Sequence, residues 1–153
     1  MTYQIVGLQG FDNDIAAGVS EMHSSLYNAM RDATNTVKNH IQDITPYKTG
    51  TLRRSIQTQI NDNGATGLVY NDPAQAPYGI YVEEGTSPHD IYPVSRQALF
   101  WKGALNPYAH VSHPGTQAHP FFFSGLDDVM DKITEIFAKV AQNVVTRVAG
   151  GHT

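Results

Sequence analysis

Residues 12–44 read DNDIAAGVSEMHSSLYNAMRDATNTVKNHIQDI, and the spacing of their apolar side chains sets the fold class. Ile15, Val19, Met22, Leu26, Met30, Ala33, Val37, Ile41 and Ile44 follow one another at steps of three or four. Such steps trace one stripe of a helix with 3.6 residues per turn. Asp12, Asn13 and Asp14 offer side-chain oxygens to the first free N–H groups. Thr45-Pro46 stops the helix, because a residue before proline avoids helical dihedrals. The predicted helix, 13–44, is about 45 Å long at a rise of about 1.5 Å per residue. Weak helix formers at Thr34-Asn35-Thr36 allow a bend midway.

Beyond this helix, 47–54 reads as a glycine-containing turn with a basic pair, Arg53-Arg54. Ile56, Thr58 and Ile60 then alternate with Gln57 and Gln59, the pattern of a half-buried strand. Asn61-Asp62-Asn63-Gly64 supplies a turn, and Gly67-Leu68-Val69-Tyr70-Asn71 returns as the second strand of a hairpin. Further short extended pieces are expected at 78–84, 90–92, 98–101 and 109–111. A second amphipathic helix, 120–149, opens at Pro120. Its stripe is Leu126, Met130, Ile133, Phe137, Val140, Val144 and Val148. Asp127, Asp128 and Asp131 lie early in it and Lys139 and Arg147 late, as the helix dipole favours. The expected fold is therefore α+β, a small antiparallel sheet of about four strands packed with two long amphipathic helices on one face. Residues 1–153 read as one domain, with helix 13–44, a strand-and-loop region 47–119 and helix 120–149.

A chain of 153 residues can bury about two thirds of its unfolded surface. Charged residues make up only 16%, against 41% hydrophobic, so part of the surface is expected to be covered by something else. The net charge of −4 and pI near 5.9 disfavour a dedicated nucleic-acid binder, which needs a basic stripe. With no cysteine there is neither a disulfide nor a thiolate metal site, which suits a reducing cytoplasm. No stretch approaches the ~20 apolar residues of a membrane span, and the first eight residues lack the pattern of a secretory signal. From 103 to 126 there is no Asp, Glu, Lys or Arg, yet there are three histidines, three prolines and four aromatics. Such a run is either threaded through the chain's own core or used as a subunit contact; the second reading is favoured, because interface centres lose charge and gain aromatics.

Candidate reactive groups do not assemble into a recognisable centre. His110, His113 and His119 can offer three zinc ligands, but without cysteine, an HExxH helix or a nearby acid for support. Glu83, Glu84 and Asp90 can serve as acid and base, although carboxylates beside a glycine turn more often cap or pair. Lys48-Thr49-Gly50-Thr51 has the wrong order for a phosphate loop, and no GxSxG elbow is present. The chain is expected to be no enzyme and to carry no cofactor or metal.

Four stretches, taken in order, resemble the head–tail joining proteins of tailed bacteriophages, variously labelled neck, tail-completion or minor tail proteins. Pro46-Tyr47-Lys48-Thr49-Gly50-Thr51-Leu52-Arg53-Arg54-Ser55-Ile56 resembles P-x-x-T-G-x-L-R-x-S-I. Tyr78-Gly79-Ile80-Tyr81-Val82-Glu83-Glu84-Gly85-Thr86 resembles Y-A-x-Y-V-E-x-G-T. Ile91-Tyr92-Pro93 and Gln97-Ala98-Leu99-Phe100-Trp101 are similar to I-x-P followed by K-A-L-x-W, with Gln97 replacing the usual lysine. Val111-Ser112-His113-Pro114-Gly115-Thr116-Gln117-Ala118-His119-Pro120-Phe121-Phe122 resembles V-x-H-P-G-T-x-x-x-P-F.

The resemblance implies a structural virion protein forming a ring of six or twelve copies in the neck. Its partners would be further copies of itself, an adaptor, stopper or portal protein on the head side, and a tail terminator or tail-tube protein on the other. DNA would pass through without sequence-specific binding, and no membrane would be involved. A mildly acidic ring suits that passage, since a basic bore would hold DNA. The implied location is the virion, with the host cytoplasm during assembly. Thr49, Gly50, Arg53, Arg54, Glu83, Glu84, Gly85, Thr86, His113, Pro114, Gly115 and Pro120 are the expected interface or loop-shaping residues. Arg53, Arg54, Glu83 and Glu84 are candidates for ion pairs between subunits, and Gly50, Gly85 and Gly115 for unusual backbone angles. The alternatives are a tail terminator capping the tail tube, a metal-dependent hydrolase using the three histidines, and a free nucleic-acid-binding module.

Overall fold

The apolar stripe of the first helix determines where everything else packs. The computed structural model describes residues 8–61, 64, 66–95 and 97–150, with the backbone alone at 8–15 and 148–150. Helix α1 spans Leu8–Ile44 in one continuous run. It starts upstream of Asp12, Asn13 and Asp14, which lie inside the helix and not at its cap. The side chains of Ile15 and Val148, residues 1–7, Asp62, Asn63 and the tail beyond 150 fall outside the described residues. The helix runs unbroken through Thr34-Asn35-Thr36: the Thr34 hydroxyl donates to the Met30 carbonyl at 2.9 Å, and Thr36 to Asp32 at 2.7 Å. Both hydroxyls thereby find partners without breaking the helix. Thr45-Pro46 ends it as the sequence predicts.

Only the C-terminal half of α1 is enclosed. Ala29, Ala33, Val37 and Ile41 are buried, whereas Val19, Met22 and Leu26 are exposed. At the end of the helix the buried position moves from the expected Ile44 to Thr45, whose hydroxyl donates to the Ile41 carbonyl. A one-turn helix, α2 (Thr51–Arg54), drives Leu52 into the core. Strands β1 (Ile56–Ile60) and β2 (Gly67–Asn71) then form the predicted antiparallel hairpin, with Thr58 opposite Val69. Gly67 lies so close to α1 that a Cβ there would sit 2.3 Å from the Thr34 methyl.

The chain next forms a short helix, α3 (Gly79–Glu84), where an extended piece is expected from the sequence. Ile80, Tyr81 and Val82 favour strands, but tertiary packing overrides that preference. A helical turn puts Val82 against the core and holds Glu83 for a distant contact described below, while Ile80 and Tyr81 remain exposed. Strands β3 (His89–Ile91) and β4 (Val111–His113) pair with each other, away from the first hairpin. The expected sheet of about four strands is thus two separate two-stranded sheets.

The second long helix is interrupted. Helix α4 (Phe122–Asp127) ends in a tight turn at 128–129, and α5 runs over Met130–Gly150. The Val129 N–H donates to Leu126 O at 3.1 Å, a shorter loop than an α-helix uses. Around that turn Val129 is buried while the expected Leu126 and Met130 are exposed, and the stripe resumes as expected with half-buried Ile133, Phe137, Val140 and Val144. Asp128 is left facing α1, where it meets His40 Nε2 at 3.0 Å. Helix α5 packs on α1 more than on either sheet. Arg147 pairs with Glu21, joining the last turns of α5 to the first half of α1. The core contains Val37, Ile41, Leu52, Ile56, Phe121 and Val129, with Val82, Phe122 and Ile133 packed against it. Among the described residues, no helix is long and apolar enough to cross a membrane.

The division of α1 into an enclosed and an exposed half gives a direct test. Ile41→Ala is expected to lower unfolding free energy by about 3–5 kcal/mol through a core cavity. Met22→Ala is expected to cost under about 1 kcal/mol. Denaturant titration of both variants at equal slope measures the difference.

Candidate functional site

Two of the four motif stretches meet at one clasp. Thr86 and Thr116 bridge through paired backbone bonds, Thr86 N–H to Thr116 O at 2.9 Å and Thr116 N–H to Thr86 O at 3.1 Å. The Thr86 hydroxyl accepts a further bond from the Thr116 N–H at 3.0 Å. Gly85 and Gly115 stand beside this bridge with φ of 73° and 87°. A Cβ at Gly85 would lie 2.5 Å from Thr116 O, and one at Gly115 would lie 2.2 Å from Thr86 O. Backbone approach this close, at positive φ, is open to glycine alone.

Glu83 locks the same clasp from the other side. Its carboxylate accepts the N–H groups of Phe121 at 2.8 Å, Phe122 at 2.9 Å and Phe123 at 3.2 Å. These are free donors of the first turn of α4, which a helix cannot satisfy internally. Glu83 therefore caps a helix 38 to 40 residues further along the chain, and its charge suits the positive end of that helix. The His119 N–H donates to Val82 O at 2.9 Å, adding one more tie. Pro120 lies just ahead of this capped turn, and its carbonyl accepts the Ser124 hydroxyl at 2.9 Å.

Beyond the clasp the chain continues as a β arm. Thr86–Thr116, His89–His113, Asp90–Ser112 and Ile91–Val111 all share one register. The His89 and His113 rings stack at 5.1 Å, and Tyr92 stacks on His110 at 5.7 Å. His113 Nδ1 accepts the Gly115 N–H at 3.1 Å, with exposed Pro114 between them. Leu99 then bridges Tyr108, and Trp101 stacks on Tyr108 at 5.3 Å. At the tip Phe100, Trp101 and Leu105 are exposed, Leu105 to 90%. Along the arm section of the uncharged run, 103–120, no residue is buried, so this part is not threaded through the chain's own core. The end of the run differs, since Phe121 and Gly125 are buried.

The first motif stretch sits elsewhere. Gly50, with φ 76°, precedes α2. The Arg53 guanidinium donates to Asp43 O at 2.9 Å and Thr45 O at 3.3 Å, capping the carbonyl end of α1, and lies 5.4 Å from the centre of the Tyr47 ring. Arg54 reaches Thr49 O and the Thr51 hydroxyl, both at 3.4 Å, and the Thr49 and Thr51 hydroxyls meet at 3.0 Å. Arg53 and Glu83 are thus engaged within the chain, whereas Glu84 is exposed with no ion-pair partner among the described residues. His110, His113 and His119 do not converge, and among the described residues no three His, Asp or Glu side chains are placed to hold a metal. Sequence reading alone does not single out Thr116, the N–H groups of residues 121–123, or the arm tip. The signals that could have found the tip are the motif stretch ending in Phe100-Trp101 and the uncharged run that starts at 103.

Residues 19–85 match the HK97-gp10-like family model, described as "Bacteriophage HK97-gp10, putative tail-component". Over that span the chain resembles a phage tail component. Neither a curated protein nor a solved structure matches the chain. The matched span takes in most of α1, the first hairpin and α3, and ends at Gly85, the root of the arm. A structural tail or neck role is what this similarity supports.

The clasp makes two stability predictions. Glu83→Ala strands three backbone donors and is expected to cost about 2–4 kcal/mol, with Glu83→Gln recovering part of the loss because one oxygen remains. Gly85→Val is expected to cost about 2–4 kcal/mol through strain and backbone collision. Unfolding midpoints of the three variants check both.

Proposed function

We propose that this protein is a non-catalytic structural subunit of a tailed-phage neck, assembling as a ring that joins the head to the tail. The observation that carries this reading is the exposed, charge-poor β arm built on a rigid clasp, in a chain whose residues 19–85 match a phage tail-component family. A two-stranded ribbon is marginal on its own in water, so an arm bearing exposed Phe100, Trp101 and Leu105 calls for a covering surface. The neighbours would be further copies, a head-side adaptor, stopper or portal protein, and a tail-tube or terminator protein. At the clasp Glu83 serves as a cap, its carboxylate accepting three backbone N–H groups. Assembly would take place in the host cytoplasm and end in the virion.

The family's description as a tail component also favours a second reading, a terminator capping the tail tube. One experiment separates them. Phage lacking this protein are expected to accumulate filled heads beside tails of normal length that fail to join, seen by electron microscopy. Tails of uncontrolled length would favour the terminator, and infectious particles of normal yield would overturn both.

A further inference from the structure

The arm tip and a groove at the arm's root match in apolar character and are opposite in charge. The groove, about 320 Å³, is lined by Val69, Ile80, Glu84, Phe122 and Phe123 among others, with Ile80 and Phe123 exposed within it. Its free acid is Glu84, because Glu83 is committed to the α4 backbone. The tip offers Phe100 and Trp101 followed by Lys102, the sole Asp, Glu, Lys or Arg between 97 and 126. A second groove, bounded by Tyr47, Lys48, Thr49 and Tyr78, carries a cation where the tip also carries one, and so repels it.

We propose that the arm tip of one copy docks in the Glu84 groove of a second copy, with Phe100 and Trp101 against Ile80 and Phe123 and Lys102 beside Glu84. This rests on the ring reading above and names the contact that would build it. The tip does not serve its own groove. Glu84 immediately precedes the clasp and Phe122 closely follows it, whereas the paired ribbon from Thr86 to Ile91 carries the tip about 16 Å away before its outer part begins. Each copy therefore has one donor and one acceptor at different places. Such a head-to-tail contact propagates, and closes into a ring when its rotation allows. A buried phenylalanine and tryptophan cover on the order of 300–500 Å², short of the roughly 800 Å² per partner of a standard interface. A single such contact is too small to hold an isolated dimer, so closure or a docking platform must complete it.

The test places the photo-reactive p-benzoylphenylalanine at Phe100 of the full chain, in mixed heavy-isotope-labelled and unlabelled protein and in phage particles carrying it. Cross-linked peptides are mapped by mass spectrometry. The expected product joins the tip to 79–84 or 121–123 of another copy, shown by mixed-isotope pairs. Glu84→Lys is expected to cut its yield at least fivefold, and adding Lys102→Glu to restore it, while thermal melting stays unchanged because both residues are exposed. Cross-links within one copy, to another region of a second copy, or to a different virion protein would overturn this contact. In that case the ring reading stands if the protein still occupies the neck, and falls if the particles assemble without it.

Discussion

The carboxylate of Glu83 is the constraint on which the second half of the structure depends. It closes a loop of 38 residues by gathering three N–H groups that α4 cannot satisfy by itself. Without it, the first turn of α4 would open to water, and Phe121, a core residue, would lose its anchor beside Ile41 and Val129. Because α3 delivers the carboxylate, α3 must be helical at that point, and the Gly85 turn must follow at once. The clasp between Gly85-Thr86 and Gly115-Thr116 is the continuation of the same closure. One interaction thus fixes where the enclosed body stops and where the arm begins.

The body itself follows a simpler rule. A single amphipathic helix presents its C-terminal half to a hairpin on one side and to α4 and α5 elsewhere, and the buried residues of all these elements meet around Ile41. Arg53 and Thr45 settle the carbonyl end of α1, supplying donors to the carbonyls of Ile41, Asp43 and Thr45 where the chain turns towards α2. The other half of α1 reaches past this core with α5 beside it. That asymmetry accounts for exposed apolar residues such as Val19 and Leu26 on a helix whose stripe is otherwise regular.

Much of this is legible in side-chain spacing. The α1 stripe, its stop at Thr45-Pro46 and the alternation from Ile56 to Ile60 depend on neighbours close in sequence, and the structure follows them. The failures arise where distant residues decide. Ile80-Tyr81-Val82 favours a strand locally, whereas the helix it forms packs Val82 on the core and brings Glu83 to α4, both contacts with residues distant in sequence. The turn at 128–129 leaves no mark in the hydrophobic pattern, because moving the buried position from Met130 to Val129 exchanges one apolar side chain for another. Two separate hairpins look like one larger sheet in a strand-by-strand reading, since pairing partners are not encoded in any single strand. The glycines at 85 and 115 can be recognised as special, but that they face each other across one bridge appears only in three dimensions.

The arm has a further property. A ribbon of two strands leaves the outer rims of both open, and peptide groups on those rims can recruit any extended chain nearby. Four of the eight prolines lie in this segment: Pro88 directly before β3, Pro93 shortly after it, Pro107 beyond the tip, and Pro114 directly after β4. Proline has no N–H to donate, so each one interrupts a ladder that would otherwise lengthen. The strands are thereby kept to three residues apiece. Short, proline-bounded strands of this kind offer little open ladder for edge-to-edge stacking, while the side chains of the tip stay exposed.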